Sequence, residues 1–179
     1  MDKWSINMKL KPLYEQIISE IGDNVIVPPG ATYEVHEHTG KVQFTFMDDD
    51  YTTLIRFPIK SGNIAVLTLD FFTDSSEGEV ALTNKHAALK AMSYIVGSLE
   101  EWLNRYKSKY LEDGEQLSIP YFKFNPKSES EETVDDESFN RRDKLYRAYI
   151  SKFAAKHGVS VTFSNTGGVV AKFEPNLTF

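Results

Sequence analysis

The sequence contains no cysteine. That absence excludes a disulfide framework, a thiol nucleophile and every thiolate metal site, and it fits a reducing compartment. No apolar run approaches the ~20 residues that a membrane-spanning helix needs. Met1 to Lys11 has no basic stretch leading into an apolar one, so we expect a protein that neither enters a membrane nor is exported, working in the cytoplasm. Phosphate-loop chemistry is missing too. Gly167 and Gly168 are followed by no helix start and by no Lys with Ser or Thr at the needed spacing, and they read as turn glycines. We expect no cofactor.

What is present suffices for a folded domain: 179 residues, 41% hydrophobic and 13% aromatic, enough for a single α+β domain over residues 1–179. The net charge of −6 hides a segregation along the chain. Residues 1–82 hold 6 basic against 13 acidic side chains, residues 83–110 hold 5 against 2, residues 111–137 hold 2 against 9, and residues 138–179 hold 7 against 2. An acidic body and an acidic loop therefore flank two basic helical segments. Segregation of this kind speaks first of solvated faces and of association, not of fold.

Periodicity supplies the elements. Leu10, Leu13, Tyr14, Ile17, Ile18 and Ile21 recur at helical spacing, which predicts a first helix from Lys11 to Ile21 closed by Gly22. Pro28, Pro29 and Gly30 stop any regular element. Four strands follow as an antiparallel meander. In the first hairpin a two-residue Thr39–Gly40 turn sets Val35 opposite Phe44 and Tyr33 opposite Phe46, and it separates an apolar from a polar face. Asp48 to Asp50 read as the next turn, Tyr51 to Ile59 as a strand, Lys60 to Asn63 as a turn, and Ile64 to Thr73 as a strand covered on both faces.

Asn84 to Tyr110 predicts a long helix with the stripe Leu89, Met92, Ile95, Val96, Leu99, Trp102, Leu103 and Tyr106, the natural cover for the meander. Gly97 inside it costs ~1 kcal/mol relative to Ala unless another segment approaches closely. A short strand follows over Leu117 to Phe124. The stretch 127–138 then carries Glu129, Glu131, Glu132, Asp135, Asp136 and Glu137 and reads as an acidic, mobile loop. Phe139 to Lys156 is a basic helix capped by Gly158, and two alternating runs from Val159 to Phe173 form a terminal hairpin.

Candidate chemistry is sparse. His36 and His38, two apart on a strand, share a face, but the facing Gln43 and Lys41 are poor metal ligands. Asp48 to Asp50 is a solvated turn rather than a cation site. No Ser, His and acid arrangement stands out, and a non-catalytic role is expected. The remaining candidates are the basic helix residues Arg141, Arg142, Lys144 and Arg147 together with Tyr121 on the aromatic strand before them. Cations beside aromatics can take phosphates and stack bases. The competing reading is an ordinary amphipathic helix with solvated cations, favoured by the acidic net charge.

The runs LTNKHAALKAMSYIVGSLEEWL (Leu82 to Leu103), IPYFKFNP (Ile119 to Pro126) and RRDKLYRAYISKFAAKHGVSV (Arg141 to Val161), in that order after several strands, resemble a group of small bacteriophage-encoded α+β proteins. Their Arg-x-x-x-Leu-Tyr element is matched by Arg141, Leu145 and Tyr146, or by Arg142 one step off. The resemblance spans about residues 32 to 163 and implies a phage origin. It carries over no catalytic residue. The role it suggests is an accessory factor acting by binding, with a protein partner expected. The alternatives are a virion-associated assembly component and a nucleic-acid binder using the basic helix.

Overall fold

The computed structural model of the protein describes residues 25–47, 49–57, 59–60, 63–64, 66–73, 85–124, 136–164 and 169–179. The expected helix from Lys11 to Ile21, the Asn84 cap, acidic residues 127–135 and the turn 165–168 lie outside them.

Six strand segments come first: β1 (Thr32–Val35), β2 (Thr39–Phe46), β3 (Asp49–Arg56), β4 (Ile59–Lys60), β5 (Asn63–Ile64) and β6 (Leu67–Thr73). Helix α1 (Lys85–Tyr110), strand β7 (Ser118–Phe124), helix α2 (Asp136–Lys156) and the strands β8 (Ser160–Ser164) and β9 (Val169–Thr178) follow. Asn63 pairs with Ser118 and Leu67 with Phe122, the same offset, so β5 and β6 form one line beside β7. β4 likewise prolongs β3 by pairing with β5. The nine segments thus make seven rows in the order β1, β2, β3–β4, β5–β6, β7, β9, β8.

The expected meander is present in β1 to β6, but the sheet does not stop at about four strands. β7 lies parallel beside β6, and β9 joins the terminal hairpin to β7. A parallel neighbour requires a long crossover, and α1, about 39 Å of helix, supplies it. Reading hairpins in sequence order could not find this pairing.

The first hairpin closes differently from the expected Thr39–Gly40 turn. Val35 pairs with Gly40 and Tyr33 with Val42, and the His36 amide donates to the Thr39 carbonyl at 3.0 Å across the loop. Each strand is displaced by an even step, which leaves the inward and outward faces unchanged, so alternation alone could not choose between the two registers. Trp102 makes the choice. Its indole lies over buried Gly40, where any Cβ would collide with the ring, and its Nε1–H donates to the Glu34 carbonyl at 3.0 Å. Gly40 is a strand glycine that makes room for Trp102. His36 and His38 consequently sit in a loop and share no strand face. The next turn also moves: Phe46 pairs with Asp49, Met47 takes φ +51, and Asp49 and Asp50 belong to β3.

Both described helices pack on one face of the sheet. Tyr94 of α1 meets Phe44 edge-on at 5.7 Å, Trp102 meets Phe57 at 5.3 Å, and Phe153 of α2 stacks on Phe122 at 6.0 Å. The helices meet each other at Ser93 and Tyr149, whose hydroxyls are 3.4 Å apart. α1 is more than the expected one-sided cover. Met92 to Leu99 is buried without a break, and a Cβ on Gly97 would overlap the Ile26 carbonyl of a segment crossing its outer side. That crossing is the close approach which Gly97 foreshadows.

α2 begins at Asp136, inside the stretch read from sequence as loop. It ends on Gly158 at φ +70, with Val159 N–H donating to the Ala154 carbonyl and Gly158 N–H to Ala155. Those two bonds satisfy the last turn in a Schellman cap.

Candidate functional site

The five candidate residues do not converge. Arg141, Arg142 and Lys144 lie in the first half of α2. Arg147 follows them, its guanidinium 5.2 Å from the Phe163 ring centroid. Phe163 pairs with buried Ala171 and therefore faces the helix layer. Tyr121, by contrast, neighbours buried Phe122 on β7 and takes the opposite face, beside Lys172 of β9. The sheet stands between Tyr121 and the basic helix, so the aromatic and cationic parts of the expected polyanion site are separated.

The cations in the later half of α2 are employed within the fold. Lys156 Nζ reaches both carboxylate oxygens of Glu100 on α1 at 2.8 Å. Lys152 also has a partner. The same carboxylate lies 3.7 Å from His157 Nε2, and the His157 ring is held between Phe153 at 4.8 Å and Phe179 at 4.7 Å. Burial pushes the His157 pKa down. Glu100 opposes that shift and Lys156 reinforces it.

The second face of the sheet offers a broader surface, free of helices among the described residues, although Thr52 on it is buried. The register lines up Glu34, Lys41 and Leu54 in one row, and Arg56, Thr68 and Lys123 in the next. Tyr121, Lys172 and Thr162 follow toward the far edge. Two opposite-charge pairs lie on this face. Lys41 lies 3.8 Å from Glu34, and Lys172 binds Glu174, an exposed contact that raises the amine's pKa and lowers the carboxyl's. Arg56 also has a partner. Polar groups are matched as well: Thr45 Oγ1 donates to Asp50 at 2.7 Å, and the Gln43 amide reaches Thr52 Oγ1 at 3.5 Å.

The β1 edge is closed by α1. Beyond the Trp102 bond, Lys109 Nζ and the Tyr110 hydroxyl donate to the Val35 carbonyl at 2.7 and 3.3 Å, and the Tyr106 hydroxyl to the Glu37 carbonyl at 3.5 Å. Burial, then the Glu37 charge, then Tyr110 push the Tyr106 pKa up to about 12, which keeps it a donor at any physiological pH. An open, shallow groove of about 340 Å³ runs along the outward side of α1 past Glu101, Asn104, Arg105, Ser108 and Lys109. Arg105 is already committed there, to Glu101 at 2.7 Å and to the Tyr33 ring at 4.3 Å. The groove presents no nucleophile with a base. Among the described residues, no group of three or more His, Asp or Glu is placed to hold a metal ion, and no helix is long and apolar enough to cross a membrane.

No family model, curated protein sequence or solved structure matches the chain.

Sequence reasoning missed the Glu100, Lys156 and His157 cluster and the sealing of β1 by α1. Their partners are 56 to 75 residues apart, and no local pattern announces them.

Proposed function

We propose that the protein acts by binding another protein, as a non-catalytic accessory factor of phage origin. The phage attribution rests on the resemblance of the Leu82 to Val161 region. The binding attribution rests on the second face of the sheet: a broad surface, free of helices among the described residues, that carries two opposite-charge pairs beside Lys123. Such a face is poorly suited to a polyanion, whose affinity comes from excess cations that displace counterions. It suits a protein surface of mixed polarity, where complementary charges set orientation and partner choice. The pairing of Arg147 and Lys156 within the fold weighs the same way against nucleic acid. An assembly role through the α1 stripe is disfavoured, because Met92 to Tyr106 is spent on the core.

Co-purification from infected host lysate tests the reading, using the wild type and a Lys123→Glu, Lys172→Glu variant with an unchanged circular dichroism spectrum. A protein held by the wild type and released by the variant is the expected result. Identical protein sets, or tight single-stranded oligonucleotide binding by the wild type that weakens steeply between 50 and 200 mM salt, would overturn it.

A further inference from the structure

The two edges of the sheet are treated unequally. Four side chains of α1 bond carbonyls of β1 and of the loop that follows it. On the far edge, Ser160 to Ser164 of β8 bond β9 on one side, and among the described residues nothing bonds the other. Natural edge strands are guarded by Lys, Pro, bulges or covering segments. Val159 to Ser164 has no charge, no proline and no glycine. Its side chains alternate, with Ser160, Thr162 and Ser164 exposed and Val161 and Phe163 half-buried.

We infer that β8 is a homodimer edge, pairing antiparallel with β8 of a second copy about a two-fold axis through Thr162. The run Ser160, Val161, Thr162, Phe163, Ser164 has the same polar and apolar order in both directions. A two-fold antiparallel pairing sets Thr162 against Thr162, Val161 against Phe163 and Ser160 against Ser164. Every pair is matched in kind, as an isologous interface requires. The half-exposed flanks of Val161 and Phe163 gain cover, and the backbone groups that nothing bonds among the described residues gain partners. The pairing also places the two Arg147–Phe163 stacks diagonally and not face to face. This inference is independent of the reading of the polar face.

Sedimentation of the purified chain tests it, with Thr162→Lys and Thr162→Glu as variants. Thr162 is exposed, so neither change disturbs the core, and unchanged thermal melts check this for each chain. The wild type is expected to dimerise with concentration. Each variant alone sets like charges opposite one another and weakens the dimer roughly tenfold or more. An equimolar mixture of the two variants restores it as a heterodimer. A wild type that stays monomeric at millimolar concentration, or a dimer indifferent to both variants, would overturn the inference. Should one variant fail to fold, the other alone still reads the loss, and concentration-dependent hydrogen-exchange protection of Ser160 to Ser164 in the wild type replaces the mixing arm.

Discussion

Helices α1 and α2 look alike as patterns, each with apolar residues at three- and four-residue spacing, yet they are held by different means. On the side where α2 carries Lys152 and Lys156, α1 carries Ser93, Gly97 and Ser98, small enough for other segments to close over them. α1 therefore has neighbours on all sides through Met92 to Leu99, while α2 keeps a wet flank at Ala155 and Lys156. Side-chain size on the polar flank separates a central helix from a peripheral one. Apolar spacing alone does not.

The sharpest way to break this comparison is a charge in the middle of α1. Leu99 is 3% exposed, and Leu99→Asp buries a carboxylate with no cation designed to meet it. We expect no cooperative thermal transition in that variant; a soluble protein with a wild-type melt would refute the central placement. Trp102→Ala is milder and still severe. It empties the site over Gly40 and strips the donor from the Glu34 carbonyl, a loss of about 3–5 kcal/mol by urea titration.

Glycine gives a test in which the two helices should answer with opposite sign. Ala exceeds Gly by about 1 kcal/mol in an exposed helix, so Ala155→Gly near the end of α2 should destabilise by up to that amount. Gly97→Ala gains the same propensity but drives a methyl into the Ile26 carbonyl. We expect a net loss of about 1–3 kcal/mol, as for overpacking elsewhere. A stabilised Gly97→Ala protein would mean that the 25–28 segment does not cross α1 there.

These contrasts also show how far the sequence was legible. A long middle helix and an antiparallel run of strands before it could be read in outline, and the Gly158 cap and a close approach at Gly97 in place, because each rests on periodicity or on a glycine with one sensible use. The β1–β2 register could not, since Trp102, far along the chain, selects it through Gly40. The parallel β6–β7 pairing and the Glu100 cluster are likewise products of tertiary contact. For the candidate site, residue types were legible but their arrangement was not. Tyr121 and Arg147 were read as parts of one patch, and the sheet puts them on opposite sides.

A smaller effect concerns pH. His157 is held neutral by burial against Phe153 and Phe179, so its folded pKa lies below the ordinary value near 6.5. The unfolded chain then binds the proton more readily than the folded one. The resulting stability is fully present above about pH 6.5 and is lost as the pH falls from there through the folded pKa. Urea midpoints measured between pH 7.5 and 5 should decline for the wild type and decline less for His157→Gln; parallel curves would remove His157 as the cause.

The smallest change should come from the bridge that ties the two helices together. Lys156 and Glu100 are partly exposed, and a pair of this kind contributes about 0.2–1 kcal/mol, less as salt is added. Lys156→Gln should therefore barely move the urea midpoint at pH 7.5. Its consequence lies in His157. The Lys156 charge helps to hold the imidazole pKa down, while the Glu100 carboxylate that it now occupies would, once released, draw the imidazole proton on. Both changes act in the same direction, so Lys156→Gln should raise the His157 pKa followed by NMR and shrink the acid-side loss of stability. An unmoved pKa would show that the Glu100 carboxylate faces Lys156 alone and that the peripheral helix is anchored by packing rather than by charge.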